Sequence, residues 1–386
     1  MRFLHTADWH LGKNLRARSR LDEQEQALQE VLDIASREKI DCLLMAGDLF
    51  DSHAPSAEAE RVAYGFFAEL SGRHITAVFI AGNHDHPGRL GALEPLLGRM
   101  QIHVRSHIRP PSEGGIVEIE VKNERARIAV MPWVPEHKLI NAELMMGAQA
   151  DRSVAYAERM SLMMESLCEA FTEDGVNILM GHLYVMGAVA SGTERAVHLS
   201  QPYALTAQRF PPFAAYAALG HLHRPQQIDA PCPALYSGSL LQLDFGEEGQ
   251  QKRVVIVDAK AGKKARMESV PLSSGRALRT VKAAMAELER RAAELTSGDL
   301  LRVIVPLDKP QPGISQKLRQ LLPDAIDVEV ELPRPPGENA EAEAVRLLRP
   351  DELFERYYQS ERECETPPEL MDAFRKLYQE ALDASR

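Results

Sequence analysis

Five short words in this 386-residue chain place oxygen and imidazole donors where they could hold cations. They are Asp8-Trp9-His10, Gly47-Asp48-Leu49-Phe50-Asp51, Gly82-Asn83-His84-Asp85, Gly181-His182 and Gly220-His221-Leu222-His223. Carboxylate, amide and imidazole donors without a thiolate suit divalent cations of borderline softness. Two such ions about 3.5–4 Å apart can direct an activated water at a phosphate ester. One such word recurs by chance. Five in one order, four of them beside a glycine, are specific.

Each word follows a short apolar run: Phe3-Leu4, Ile40 to Met45, Ala77 to Ile80, Asn177 to Met180, and Tyr216 to Leu219. Near-continuous apolar runs predict strands covered on both faces. Between the first three lie helical patterns, such as Leu21 to Arg37 with Leu28, Val31, Leu32 and Ala35 on one face. Strands alternating with helices imply βαβ units. Ligands in such sheets collect beyond the carboxyl ends of the strands, so distant residues can meet in one cleft. The chain has 13 histidines, and an isolated one is an ordinary surface or core residue. His5, His74, His103, His107, His137 and His198 are read so, and His86, beside the cluster, is left open.

These words and their flanks resemble the calcineurin-type metallophosphoesterase superfamily. Phe3 to Gly12, Ala46 to Asp51, Ala218 to Arg224 and Tyr236-Ser237-Gly238-Ser239 are similar to the SbcD nucleases, its Mre11-like bacterial branch. The resemblance covers roughly the first 270 residues. It implies an α/β sandwich of that superfamily and a dimetal nuclease site. Asp8, His10 and His223 would hold one ion, Asn83, His182 and His221 the other, and Asp48 both. His84 would face the scissile phosphate as a non-ligand, oriented by Asp85. In this family the ions are usually manganese. Some archaeal relatives carry a second functional histidine three residues after the bridging aspartate. Here that place is Asp51, and the nearest histidine, His53, is either a helper in duplex cleavage or a loop residue before Pro55.

The resemblance also implies partners: DNA, an SbcC (Rad50-like) ATPase, and a homodimer within a heterotetramer. Tyr64, Phe67, Leu70, Leu93 and Leu97 are candidates for the dimer face, with a core role as the alternative. A net charge of −11 is unusual for a DNA-binding protein. The acidic excess is densest in residues 338–386, with 7 basic against 13 acidic side chains. Lys13, Arg16, Arg18 and Arg20 form a basic run without an acid among them and are expected to contact phosphates. No run approaches 18 apolar residues and no signal-peptide pattern opens the chain, so the expectation is a cytoplasmic protein with no membrane span. Four scattered cysteines without a CxxC fit reduced thiols.

Four regions are expected: a nuclease core over 1–270, a small α/β capping domain over 271–333, a linker over 334–349 and a helical tail over 350–386. The capping domain reads as a helix from Leu278 to Leu295, a strand from Leu300 to Leu307, a helix from Ile314 to Leu322 and a strand from Ala325 to Leu332. Pro333 to Gly337 is a linker by composition. In the tail, one helix starts near Pro350 and would bury Leu353, Phe354, Tyr357 and Tyr358. A second opens on a capping box at Thr366-Pro367-Pro368-Glu369 and carries a stripe of Leu370, Phe374, Leu377, Tyr378 and Ala381. The pair would dock on the core or, by the resemblance, on the coiled-coil base of the ATPase.

The function expected is a nuclease subunit that cuts single strands itself and processes duplex ends with ATP through its partner. A phosphatase, a cyclic-nucleotide phosphodiesterase and a non-catalytic scaffold are the alternatives. Gly12-Lys13-Asn14 is not a P-loop, which excludes an ATPase role for this chain.

Overall fold

The protein is described by a computed structural model covering residues 1–135, 156–194, 204–296, 298–333, 350–362 and 366–384. The expected linker, and His137 and His198, lie outside the described residues.

Two mixed six-stranded sheets carry the site. Across the first, strands run β16 (Arg266–Pro271), β15 (Arg253–Asp258), β1 (Arg2–Thr6), β4 (Cys42–Met45), β5 (Thr76–Ile80) and β6 (Ile102–Arg105). β1, β4, β5 and β6 are parallel neighbours, joined through the helices α1 (Leu21–Arg37), α2 (Ala57–Gly72) and α3 (Pro87–Gly98). The second sheet runs β13 (Gln226–Ile228), β14 (Ala234–Tyr236), β12 (Tyr216–Gly220), β9 (Val176–His182), β8 (Glu124–Met131) and β7 (Ile116–Val121). Short pairs β2 (Asn14–Leu15) with β3 (Arg18–Ser19) and β10 (Tyr184–Val185) with β11 (Ala204–Leu205) extend from loops.

Side-chain alternation explains why the strands are apolar throughout. Phe3, Cys42, Leu44, Val78, Ile178 and Met180 share the layer between the sheets. Leu4, Leu43, Met45, Ala77 and Phe79 point the other way, onto α1 and α2. Leu179, Leu219 and Ala217 do the same against α4 (Tyr156–Cys168). Successive residues face opposite sides of a strand, so a strand buried on both faces has no polar alternation. His5, inside the inter-sheet layer, bonds the Tyr216 hydroxyl at 2.8 Å; burial pushes its pKa down to about 3, so it is a neutral core residue.

The small α/β region differs from expectation at its start. Leu278–Lys282 is a strand, β17, parallel to β18 (Leu300–Pro306), and the helix α5 begins only at Met285 and ends at Leu295. Leu278 packs with Leu15, Phe245 and Leu300, a tertiary contact that overrides its helical spacing. α6 (Ile314–Leu321) and β19 (Ala325–Glu331) complete a three-stranded sheet ordered β17, β18, β19. The chain divides into one compact unit of Met1–Val305 with Gly313–Glu329, and a second of Pro306–Pro312 with Val330–Arg386.

Within the second unit, α7 (Pro350–Arg362) and α8 (Pro368–Ala384) form a pair in which Phe354 stacks on Phe374 with centroids 4.2 Å apart. Leu353 and Tyr357, expected to be buried, are exposed, as are Leu377 and Tyr378. The capping box is not formed: α8 starts one residue later than its spacing requires, and the Thr366 hydroxyl has no hydrogen-bond partner. Of the residues offered for a dimer face, Phe67, Leu70 and Leu97 are buried in the core under α2 and α3, and Leu93 is half-buried against it. Tyr64 alone of the five is exposed.

Candidate metal centre

The strand ends converge as their parallel pairing requires. Asp8 and His10 follow β1, Asp48 follows β4 and Asn83 follows β5; His182 ends β9, and His221 and His223 follow β12. The loops after β1 and β4 continue the ladder, with Asp8 N–H donating to the Gly47 carbonyl at 2.9 Å and His10 N–H to the Asp48 carbonyl at 3.1 Å. Asp8, His10, Asp48 and His221 all have positive φ, between 47° and 102°. Left-handed backbone costs a non-glycine residue about 1–3 kcal/mol and persists only where the surroundings enforce it. Four cases within one cluster mark a preorganised site. Glycine is required beside them: a Cβ at Gly82 would strike the Asp48 carboxylate, and one at Gly220 the Ala46 carbonyl.

All seven expected ligands are buried, and they share one cluster. Donor atoms of Asp8, His10 and His223 lie within 4.8 Å of one another, as do those of Asp8, Asp48 and His182. Asp8 belongs to both groups, and Asp48 Oδ2 lies 3.6 Å from His10 Nε2 and 3.4 Å from His182 Nε2, with His10, Asp48 and His84 forming a third group. Asn83 Oδ1 sits 2.9 Å from His182 Nε2 and 3.0 Å from His221 Nδ1. Trp133 stacks on the His221 ring at 5.3 Å.

The hydrogen-bond directions test whether cations fit. His10 Nδ1 faces Asp51 Oδ1 at 3.2 Å, and His223 Nδ1 faces Glu247 Oε1 at 3.2 Å. Burial would raise the Glu247 pKa, but His223 and Lys252 outweigh it and hold it at about 2. Burial likewise opposes ionisation of Asp51, and His10 and Lys13 keep it far below the usual carboxylate range. Ionised carboxylates only accept, so His223 Nδ1 donates to Glu247, and a neutral ring then presents a lone pair at Nε2. His10 Nδ1 lies near Asp51 without an aligned hydrogen bond. The two Nε2 atoms face each other at 3.1 Å. His182 repeats the pattern. Its Nδ1 donates to the Ala46 carbonyl at 2.9 Å, and its Nε2 approaches the Asn83 oxygen, another acceptor. Acceptors held in contact require a cation or protons between them, and the donor set fits divalent ions.

With no cation, protons take that role. Burial pushes Asp8 up to about 7, against the pull of His182 and His223. Burial alone would lower His182, but the Asp48 carboxylate outweighs it and lifts the ring to about 9. Cation binding must expel these protons. Binding of manganese is therefore expected to release protons, and its apparent affinity to climb as pH rises from 7 toward 9. Calorimetry in buffers of different ionisation enthalpy checks this; pH-independent binding across that window would contradict it.

Comparison with known proteins agrees with this geometry. Residues 1–225 match the calcineurin-like phosphoesterase family, and residues 274–362 match the type 5 capsule protein repressor C-terminal domain. The SbcD subunit of the SbcCD nuclease of Bacillus subtilis is 41% identical over 288 residues, covering 74% of this chain and 73% of that protein. The proteins of the same name from Rhodobacter capsulatus and Escherichia coli are 31% and 27% identical, covering 82% and 92% of this chain and 83% and 92% of theirs. The chain belongs to the SbcD nuclease family of calcineurin-like phosphoesterases. As a member of this family it is a metal-dependent hydrolase built on that fold.

Several expectations about the side chains of this SbcD family member change. Asp85 does not touch the His84 ring. Its carboxylate accepts N–H groups of Gly82, Leu49 and Phe50 at 2.8–3.2 Å, tying the β4 and β5 loops together. His84 is held instead by the Asp51 carbonyl, 2.8 Å from its Nδ1, while its own N–H donates to Asp48 Oδ1 at 2.8 Å. The basic run is already paired. Lys13 bonds Asp51 at 3.0 Å, Arg16 bonds Asp327 at 2.8 Å and Asp244 at 3.3 Å, and Arg18 lies 3.8 Å from Asp324. Arg20 is 4% exposed and grips Glu23 and the carbonyls of Gln242 and Arg276, so it cannot contact DNA. His53 lies edge-on to His86 at 5.9 Å, and His86 caps α3 by accepting the Arg89 N–H. Glu247, Thr193, Glu194 and Trp133 were not anticipated; none sits in a ligand-bearing word.

Proposed function

We propose that this chain is the nuclease subunit of an SbcCD-type DNA end-processing complex, hydrolysing phosphodiesters at the centre described above. The observation that carries the reading is the meeting of His182 Nε2, whose Nδ1 donates to the Ala46 carbonyl, with the acceptor Asn83 Oδ1 at 2.9 Å, beside the His10 and His223 Nε2 atoms 3.1 Å apart. In this reading Asp8, His10 and His223 hold one ion, Asn83, His182 and His221 the second, and Asp48 both. When bound, two divalent ions, most readily manganese, supply Lewis acidity and an activated water. The Asp51 carbonyl fixes the His84 ring, and because it can only accept, Nδ1 carries the hydrogen. A proton at Nε2 then makes the ring cationic, suited to a phosphate oxygen or a departing alkoxide. Asp85 positions the loop that carries Asn83 and His84.

Partners follow from the same reading. Lys13, Arg16, Arg18 and Arg20 are engaged with acids, and the net charge is −11, so the isolated chain grips duplex DNA weakly. The paired tail helices, with Leu353, Tyr357 and Leu377 exposed, suit an SbcC-type ATPase coil by helix packing. No described helix is long and apolar enough to cross a membrane. The cytoplasm, where the unpaired thiols of Cys42, Cys168 and Cys232 stay reduced, is the proposed compartment.

Digestion of single-stranded and blunt duplex DNA by the isolated chain, with manganese and with or without ATP, tests this function. The single strand should be cut without ATP and the duplex largely spared. A stiff duplex, with a persistence length of about 150 bp, resists presenting a phosphate to a buried cleft. Hydrolysis of a chromogenic phosphate monoester with single strands left intact would favour a phosphatase instead. Equal, ATP-stimulated digestion of both DNAs would place the motor in this chain.

A further inference from the structure

We propose that Glu247 is a positioning residue for His223, with Thr193 as relay and Lys252 as counter-charge, and that it sets the affinity of the cation site shared with Asp8 and His10. The proposal rests on the metal reading above. Glu247 is wholly buried at the end of a short turn, Phe245–Glu247, outside every ligand-bearing word. Its Oε2 is held by Lys252 Nζ at 2.7 Å and by the Leu243 N–H at 3.0 Å. Its Oε1 accepts the Thr193 hydroxyl at 2.7 Å and faces His223 Nδ1 at 3.2 Å. The same hydroxyl oxygen also contacts His223 Nδ1. Since the hydroxyl hydrogen points to Glu247, that oxygen accepts from the ring. Both neighbours of Nδ1 are therefore acceptors, which fixes the tautomer and turns the Nε2 lone pair toward His10.

The surrounding chain is organised around this contact. Glu194 gathers the N–H groups of Ser191, Gly192 and Thr193 and also accepts the His223 N–H at 3.0 Å. Lys252 donates a second bond to the His223 carbonyl at 2.9 Å. The histidine is thus held at its N–H, its carbonyl and its ring. A carboxylate behind a ligating imidazole strengthens the ring as a donor and locks its orientation. His182, by contrast, is backed by the neutral Ala46 carbonyl. Glu247 thereby acts on one cation site of the pair.

Calorimetric titration of the intact chain with manganese chloride, beside thermal unfolding, tests this. Wild-type protein should bind two ions; if it binds none, the metal reading itself fails and Glu247 is not at issue. With two ions in the wild type, Glu247→Gln should weaken one of them about 10–100-fold and leave the other unchanged. Because that variant strands the buried Lys252 charge, the Glu247→Gln/Lys252→Met pair is measured with it and should give the same split. Thr193→Val should weaken the same ion, and Thr193→Ser, which keeps the hydroxyl, should restore it. Wild-type affinity for both ions in the folded glutamine variants, or equal weakening of both, would overturn the proposal. So would identical behaviour of Thr193→Val and Thr193→Ser.

Discussion

An Asp48→Ala variant is expected to lose both cations and, with them, cleavage. Asp48 is 1% exposed, and its Oδ2 reaches His10 Nε2 and His182 Nε2, one from each ligand group. Its Oδ1 accepts the His84 N–H, so the loop that carries His84 is tied to the same side chain. Burial alone would raise its pKa, but the charges of His182 and His84 outweigh this and hold it well below the usual range. The carboxylate is therefore available to a cation throughout the working pH range. In the proposed centre, removing it would take an anionic ligand from two sites at once. Even changes behind a ligand cost about 10–100-fold in metal affinity, so loss of the shared ligand should exceed that for both ions. His10→Ala removes a terminal donor and should weaken one ion far more than the other. Manganese titration of the two variants checks the contrast; two ions near wild-type affinity in Asp48→Ala would refute the bridge.

His84→Ala should leave both ions bound and reduce turnover by about 10²–10⁴-fold, the range for a positioned proton donor. The His84 ring is half-buried and lies edge-on to His10 at 4.7 Å, close enough that proximity alone would admit it as a ligand. Its Nδ1 is occupied by the Asp51 carbonyl, however, and that carbonyl sits on the loop leaving Asp48. The ring is held at the rim of the cluster by backbone, not by the ligand set. Metal content and single-turnover cleavage of the variant, measured together, separate the two roles. Loss of one ion per chain would make His84 a ligand and remove it from the chemistry.

Much of this was legible in the residue order. The ligand words could be read because β1, β4, β5, β9 and β12 are buried on both faces and end where the apolar runs end. The pairing of the basic run could not. Arg16 and Arg18 meet Asp244, Asp324 and Asp327, more than two hundred residues away, and only the fold brings them together. Glu247 was hidden for the same reason: a lone glutamate in Phe245-Gly246-Glu247-Glu248 has no spacing to mark it, and its meaning comes from His223 and Lys252. The strand Leu278–Lys282 was masked by the amphipathic helix that follows, which extends the same apolar pattern backward. The resemblance implies that Asp85 orients His84, yet its carboxylate points elsewhere, here to three backbone N–H groups.

Anomalous diffraction from manganese-loaded crystals tests the central claim most directly. Two peaks about 3.5–4 Å apart are expected, one among Asp8, His10 and His223 and one among Asn83, His182 and His221, with Asp48 reaching both. A single peak, or manganese bound outside this cluster, would contradict it.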